Sequence, residues 1–429
     1  MKRILIWLVL FGGPLISAGQ YKNDRLLEDI LASNDDSLYR EVLRNPDKYR
    51  YQIIYTQINR DNRNEPHFTD YYFQVDPARY YYPASVVKMP LAFLSLEKLH
   101  QMKKRNINKD TPLLFDSAFA YQAPMRADST AEDYLPSIAQ FIRKAFLVSD
   151  NDAYNRMYQF MGQQAINERL HEKGYKDIRI TRQFRRITPE QNRHTNPFHF
   201  IDRNGRTLFQ DPGAFNTDSF DFDKPFLLGQ AYYNWQDSLV EGPLDFTTHN
   251  YMPLTDLQEL LQSVLFPESV SKSRRFDLGR DDYRFLYQYL SQYPGETNFP
   301  KYDPEEYYET YVKFFFKGPN KNMPEGVRVF NKVGWAYGCL TDVSYVADFT
   351  HKVEFMLTAT IYVNEDGILN DDKYEYEEVG LPFLYQLGQT IYRFELKRPR
   401  AYVPNLSRFE IKYENRETNE RPLIRNVDN

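Results

Sequence analysis

Alternation of apolar and polar positions predicts β-strands near both ends of the chain, whereas the stretch between them is patterned mainly for helices. The strand-like segments are residues 51–59, 68–75, 326–332, 341–348 and 353–364. The helical segments are residues 25–33, 37–44, 136–148 and 153–170, and a closing helix from about 376 to 392. This order predicts a protein of the α/β (α+β) class, in which an antiparallel sheet flanked by helices forms three α-β-α layers and carries an inserted all-helical subdomain.

One helical segment, residues 81–94, is apolar on nearly every side after Ser85 and is therefore typical of a helix buried inside a domain. Pro83 and Ser85 suit its start, and Lys88 follows one turn later on the same face. A serine hydroxyl needs a base to become a nucleophile at neutral pH, and a lysine can serve if burial lowers its pKa. Ser85 and Lys88 are therefore a candidate nucleophile and base.

The S-x-x-K spacing also occurs at Ser95 and at Ser269, so any single match is more typical of an ordinary helix surface. Two motifs downstream distinguish Ser85. S-D-N at 149–151 follows an amphipathic helical run, and K-V-G at 332–334 ends a predicted strand. Three short motifs in order, each in a suitable structural context, are more specific than any one of them.

Together these motifs resemble those of the serine β-lactamase and penicillin-binding protein superfamily, most closely the class A β-lactamases. S-D-N-D-A-Y-N at 149–155, followed by Gly162, is similar to the S-D-N-x-A-x-N helix of that family, and K-M-P-L at 88–91 is similar to its K-x-P-L continuation. The resemblance covers roughly residues 25–395, with long insertions. It implies a β-lactamase/transpeptidase-like fold with the active site between the sheet and the helical subdomain.

The resemblance also implies a division of the chain. A catalytic domain is expected over residues 19–396, made of a sheet part (about 25–98 and 326–396) and a helical part (about 99–325). Two regions, 178–246 and 266–325, are longer than the family requires. They either cap the cleft, or form additional surface structure or a dimer contact. The last residues, 397–429, are polar and charged and predict an extended or partly disordered tail.

The first 18 residues have the pattern of a secretory signal peptide: Lys2 and Arg3, an apolar run, and small residues around Ala18. An uncleaved anchor is less favoured because the apolar run is short and broken at 12–14, and no cysteine follows it to carry a lipid. The sequence therefore predicts export to the periplasm or the exterior, with no stable membrane span after cleavage.

Composition narrows the possible partners. The formal net charge is −5 and no lysine-rich run occurs, so nothing favours nucleic-acid binding. Cys339 is the only cysteine of the 429 residues, so neither an internal disulfide nor a cysteine metal cluster can form. The implied chemistry needs no metal and no cofactor.

The resemblance assigns three residues to the reaction itself. Ser85 would attack a substrate carbonyl, Lys88 would act as base for acylation, and Ser149 would relay a proton to the leaving nitrogen. Taken alone, Ser149 is better interpreted as an ordinary N-cap. The three motifs together favour the catalytic interpretation.

Four further residues are implied to bind substrate. Asn151 would hold the substrate amide, and Lys332 would attract a substrate carboxylate. Gly334 and Trp335 end the same motif, and the N–H of Trp335, with that of Ser85, would form the oxyanion hole. Alone, Asn151 and Lys332 read as a turn residue and a surface ammonium group.

Two positions depart from the family pattern. Val333 replaces the usual threonine or serine, which removes a hydroxyl expected to bind the substrate carboxylate. T-P-E-Q-N at 188–192 resembles the loop E-P-E-L-N, which places Thr188 where class A enzymes have the glutamate that activates the deacylating water. Glu190 is the nearest candidate for that role. We therefore expect acylation to outrun deacylation.

The sequence predicts an exported serine hydrolase that acts through an acyl-serine intermediate, with hydrolysis of β-lactam amides as the first interpretation. Its partner would be a small β-lactam or a peptidoglycan peptide. D-alanyl-D-alanine peptidase or transpeptidase activity, and esterase activity, are alternatives. A non-catalytic cell-wall binding protein that keeps the fold is the alternative from another class.

Overall fold

The computed structural model describes residues 21–222, 224–418 and 420–427, so the predicted signal peptide lies outside the described residues. The helices are α1 Arg25–Ala32, α2 Ser37–Arg44, α3 Pro46–Tyr49, α4 Lys88–Met102, α5 Ile138–Leu147, α6 Asn151–Met161, α7 Gln163–Glu172, α8 Leu254–Leu265, α9 Arg280–Ser291 and α10 Leu381–Lys397. In this part of the chain, no helix combines the length and the apolar character that a membrane crossing needs.

The strands are β1 Gln52–Arg60, β2 Pro66–Phe73, β3 Leu113–Phe115, β4 Phe198–Ile201, β5 Thr207–Asp211, β6 Leu227–Leu228, β7 Ala231–Tyr233, β8 Leu239–Glu241, β9 Leu244–Asp245, β10 Val327–Ala336, β11 Cys339–Asp348, β12 Val353–Tyr362 and β13 Ile368–Leu369. The main sheet has the order β10-β11-β12-β1-β2, and every neighbouring pair in it is antiparallel. Because β1 pairs with β12, the two ends of the chain close one sheet. The predicted mixed fold, an antiparallel sheet flanked by helices, is confirmed.

The two faces of this sheet pack against different layers, as the period of two along a strand requires. On β10, Val329 and Val333 belong to a core shared with Leu384 and Leu387 of α10. Phe330, between them, belongs to the larger core on the other face, which includes α4 and α8. Lys332 and Gly334 alternate with Val333, so they lie on the face toward the helical region.

The helical region differs in detail from its prediction. The helix predicted over 153–170 is divided into α6 and α7 at Gly162, whose φ of 83° lies in the left-handed region that favours glycine. The region also carries short strands, of which β3, β4 and β5 form one small sheet. Most of these strands fall within the long region 178–246, where no clear period was visible in the sequence.

The polar tail is packed, in contrast to the disorder that its composition suggested. It has little regular structure, but Leu406 and Phe409 are buried. The Phe409 ring lies 4.8 Å from that of Tyr345 and 5.3 Å from that of Phe266, centroid to centroid. Ion pairs of Arg408 with Glu268 and of Arg425 with Asp303 add to these apolar contacts. The tail is therefore held on the domain by apolar and polar contacts together.

Candidate active site

Ser85 lies in the 3-10 turn Ala84–Val87 that leads into α4, and its side chain is half-buried. The turn is entered through Ala84, whose φ of 45° is uncommon for a residue with a side chain. The first N–H groups of a helical turn have no acceptor within it. The N–H of Ser85 is one of these, so the turn presents both a hydroxyl and an amide donor.

Strand β10 lies directly against this turn at Gly334. A Cβ atom at Gly334 would lie 2.5 Å from the carbonyl oxygen of Pro83 and 3.0 Å from the nitrogen of Ser85. The first distance is too short for a real Cβ atom and the second is tight, so this position favours glycine. The third motif therefore ends in glycine because the strand backbone must approach the nucleophile turn, as an oxyanion hole between the two would require.

Lys88 is the first residue of α4 and is fully buried. Its Nζ donates to Asn151 Oδ1 at 2.8 Å, to Ser149 Oγ at 3.3 Å, and to the Ser149 carbonyl oxygen. A buried amine needs such acceptors, because removing it from water is otherwise costly. The predicted base thus connects the nucleophile helix to the S-D-N segment.

Ser149 is held in the left-handed region, with φ of 65°, between α5 and α6. The N-cap of α6 is Asp150, whose Oδ1 accepts from the N–H of Ala153 at 2.7 Å. Ser149 is therefore not the capping residue, and its unusual backbone is maintained by the groups around it. Its side chain serves the site instead of the helix.

Lys332 completes the cluster from strand β10. Its Nζ donates to Ser149 Oγ at 2.8 Å and to the Val333 carbonyl oxygen at 2.9 Å, and its side chain is buried. The Ser149 hydroxyl thus accepts from both lysines and can donate its own proton to a substrate atom. The structure brings together Lys88, Ser149, Asn151 and Lys332, next to the turn that carries Ser85.

A residue that the sequence interpretation missed, Phe184, faces Lys88. Its ring centroid lies 5.3 Å from Lys88 Nζ, and the ring stacks on Tyr154 at 4.4 Å. Asn155, the last residue of the S-D-N-x-A-x-N motif, fixes its backbone: Asn155 Oδ1 accepts from the Phe184 N–H at 2.8 Å, and Asn155 Nδ2 donates to its carbonyl at 3.4 Å. The group opposite the predicted base is an aromatic ring.

Thr188 and Glu190 lie farther along the same loop. Thr188 is exposed and exchanges hydrogen bonds with Gln191: Thr188 Oγ1 accepts from the Gln191 N–H, and Gln191 Oε1 accepts from the Thr188 N–H. The Glu190 side chain is 69% exposed, with its carboxylate 4.0 Å from the Arg193 guanidinium. Phe184, rather than Thr188, therefore lies opposite Lys88. The deacylation role of Glu190 stays a prediction, and its contacts do not favour it.

Val333 and Trp335 lie on the far face of β10. Val333 is fully buried in the core beneath α10. The Trp335 ring packs against Phe314 at 5.8 Å and against Tyr311 at 6.4 Å, so this residue can serve the site only through its backbone, as the prediction requires. The hydroxyl that Val333 lacks would therefore point into the core and away from Lys332.

One signal in the sequence could have located Phe184. Asn155 belongs to a recognised motif, and a buried amide there must find backbone partners. Thr181 and Arg182, which resemble the start of the family's loop, lie just before Phe184.

The model of the Beta-lactamase2 family, described as the beta-lactamase enzyme family, matches residues 40–204. This range includes Ser85, Lys88, Ser149 and Asn151, whereas Lys332 lies beyond it. None of the curated proteins matches the chain at a significant level.

Many solved structures align with the chain. The β-lactamase from Sphaerobacter thermophilus DSM 20745 is 14% identical, with a TM-score of 0.44, over 86% of this chain and 100% of that one. A β-lactamase from Burkholderia ambifaria is 14% identical, with a TM-score of 0.45, over 87% and 99%. A mutant of PBP-A, in an acyl-enzyme complex with penicillin G, is 13% identical, with a TM-score of 0.44, over 86% and 97%. The predicted resemblance to the serine β-lactamase and penicillin-binding protein superfamily is confirmed by the family match.

Proposed function

We propose that this relative of the serine β-lactamases and penicillin-binding proteins is an exported serine hydrolase that forms an acyl-serine at Ser85 with β-lactam amides. The observation that carries the proposal is the convergence of two buried lysines, Lys88 and Lys332, on the hydroxyl of Ser149. This arrangement can accept the proton of a hydroxyl that attacks the amide carbonyl and donate a proton to the leaving nitrogen.

The acylation step uses these groups in sequence. The Ser85 hydroxyl oxygen attacks the carbonyl carbon while its proton passes to Lys88, which must be deprotonated for this step and therefore gives up one of the three hydrogen bonds that its Nζ donates. The resulting oxyanion accepts from the Ser85 N–H and from an N–H of β10. The Ser149 hydroxyl then donates to the amide nitrogen, regains a proton from the lysines that donate to it, and the C–N bond breaks. An ester at Ser85 remains.

Hydrolysis of that ester needs a water molecule and a base on the correct side of it. The ring of Phe184 faces Lys88, and an aromatic ring can neither accept a water proton nor hold the water as a carboxylate would. We therefore propose that the acyl-serine persists, so that β-lactams act as slow substrates or inhibitors. The same observation favours transfer to an amine acceptor, as a D-alanyl-D-alanine transpeptidase performs, as the second candidate.

The test is intact-protein mass spectrometry after mixing with penicillin G, followed by peptide mapping. We expect one adduct per chain, located at Ser85, that persists after excess drug is removed. Ser85→Ala should abolish it. Ser95→Ala is the matched control, because Ser95 heads another S-x-x-K spacing on the same helix and should label normally.

Three results would contradict the proposal. Label on Ser95 or Ser269 would reject Ser85 as the nucleophile, and rapid return to the unmodified mass with destruction of excess drug would reject a persistent ester. A folded protein that takes no label would favour the non-catalytic binding protein instead. Export is part of the proposal, and detection of the chain in the cytoplasmic fraction alone, in cell fractionation of its host, would contradict it.

A further inference from the structure

A cleft of about 720 Å³ opens beside the candidate active site. One wall is the loop from Arg182 to Pro189, and the opposite wall is the β7–β8 hairpin with Asn370 and Asp372. The loop wall includes Arg182 and Arg185, which flank Phe184 in the sequence, and Phe184 itself faces Lys88. The loop that forms this wall of the cleft thus also presents Phe184 to Lys88.

The cleft also has a floor, Tyr337, which connects it to the turn that carries Ser85. Tyr337, which lines the cleft, follows β10 directly, and its ring lies 4.8 Å from that of Tyr82. Tyr82 precedes the turn that carries Ser85, and Gly334 of β10 contacts that turn. A substrate acylating Ser85 can thus extend its acyl side chain over Tyr337 into the cleft.

The loop wall carries three arginines, Arg182, Arg185 and Arg186. Their described hydrogen bonds go to neutral oxygens: Arg182 Nη2 donates to Thr248 Oγ1 at 3.3 Å, and Arg185 Nη2 donates to the Tyr121 carbonyl at 3.0 Å. Arg182 Nε is buried and has no hydrogen-bond partner among the described residues. Guanidinium groups at a cleft wall without carboxylate partners are the usual means of binding a carboxylate.

The acidic residues of the cleft do not neutralise this wall. Asp237 and Asp372 line its opposite side and are exposed to solvent, where screening weakens their effect. The hairpin contributes aromatic surface instead, with Tyr232, Tyr233 and Trp235, of which Trp235 is 74% exposed. An exposed tryptophan at a cleft mouth provides a face against which a planar group can pack.

We propose that this cleft is a specificity subsite for a carboxylate on the acyl portion of the substrate, a proposal that rests on the acyl-serine chemistry proposed above. The preferred substrates would then be acidic acyl donors, with the carboxylate bound by Arg185 and Arg186 and the adjoining planar or apolar group packed on the hairpin. This assigns a role to part of the long region 178–246, which acylation itself does not need.

The test compares two drugs that differ only by such a carboxylate. Carbenicillin is penicillin G with a carboxylate on the carbon that bears the phenyl ring. The ratio of the second-order acylation rate constants of the two drugs therefore measures how much that carboxylate contributes to acylation. We expect carbenicillin to acylate Ser85 at least about 10-fold faster than penicillin G, the lower end of what a hydrogen bond between charged groups contributes. Arg185→Gln and Arg186→Gln should each lower that ratio several-fold. Arg203→Gln, an exposed arginine outside the cleft, should leave it unchanged.

A second measurement does not depend on acylation. Phenylmalonate, the acyl side chain of carbenicillin as a free acid, should bind Ser85→Ala protein and alter the fluorescence of Trp235, and Arg185→Gln should weaken this binding. Phenylmalonate binding in a protein that no β-lactam acylates would support the subsite while rejecting the proposed function. Equal acylation by both drugs, or phenylmalonate binding that Arg185→Gln and Arg203→Gln affect equally, would overturn the subsite.

Discussion

The two sides of the candidate active site differ in how closely they follow the chemistry expected of them. On the acylation side, Lys88 and Lys332 converge on Ser149 through hydrogen bonds of 3.3 and 2.8 Å, from helix α4 and strand β10. On the deacylation side, the loop presents Phe184 to Lys88, and its carboxylate, Glu190, is turned to solvent.

The difference separates two requirements that a hydrolase must meet. Forming the ester needs a nucleophile, a base and a proton relay, all of which are held by buried elements. Breaking it needs a base aimed at a water molecule, and the loop supplies a ring there instead. A protein can keep the first set of groups without the second, and it then captures an acyl group rather than hydrolysing its substrate quickly.

The largest expected effect tests the acylation side. Lys88→Ala removes the base and should slow penicillin G labelling by at least about 100-fold, as is typical of lost acid–base catalysis. The rate is measured by mass spectrometry over time, and circular dichroism checks the fold. The matched control is Lys98→Ala, because Lys98 lies on the same helix, is partly buried and donates to the Phe160 carbonyl instead. Equal labelling rates in the two variants would remove Lys88 from the mechanism.

The second effect sharpens the contrast between the sides. Phe184→Glu places a carboxylate beside Lys88, where Asn155 fixes the backbone. It should shorten the lifetime of the penicillin adduct at least about 10-fold, because the new group can accept a proton from water. Phe184→Leu is the control, since it opens similar space without a base. If both variants release the adduct equally fast, packing rather than the missing base limits deacylation.

The third effect concerns stability and tests on which face of β10 a hydroxyl at position 333 would lie. Val333→Thr should destabilise the protein by about 1–3 kcal/mol, the cost of burying an unpaired hydroxyl, and leave acylation unchanged. Val329→Thr, on the same face of the same strand, is the control and should cost a similar amount. Unfolding in urea provides the measurement. A several-fold gain in acylation with no loss of stability would restore the interpretation drawn from the sequence.

Much of the fold and the acylation side of the site could be predicted from the sequence for one physical reason. Strands with a period of two and helices with a buried face are local patterns, and nucleophile chemistry fixes residue types at short spacings such as Ser85 to Lys88. Ser149 and Lys332 came from motifs of the same kind. The structure brings these residues together as that chemistry requires.

The parts that could not be predicted depend on distant contacts. Phe184 lies in an irregular loop, and its place is set by hydrogen bonds to Asn155 that no local period reveals. The tail is similar, because its composition is polar and its place is set by contacts with distant residues, such as the burial of Leu406 and Phe409 and the ion pair of Arg425 with Asp303. In both cases a few tertiary contacts decide the position of a segment that has no regular structure of its own.

The smallest effect is expected for Glu190, and a large effect there would contradict the contrast between the acylation and deacylation sides. Glu190→Gln should change the adduct lifetime by less than about 2-fold, because the carboxylate is 69% exposed and lies near Arg193 rather than Lys88. An exposed carboxylate is solvated and screened, and reaching the ester would require the loop to leave the hydrogen bonds between Thr188 and Gln191. Glu168→Gln, an exposed position on α7, is the control. A trapped adduct in Glu190→Gln alone would mean that the loop rearranges after acylation and brings its own base, and the deacylation side would then be complete but inactive until the ester forms.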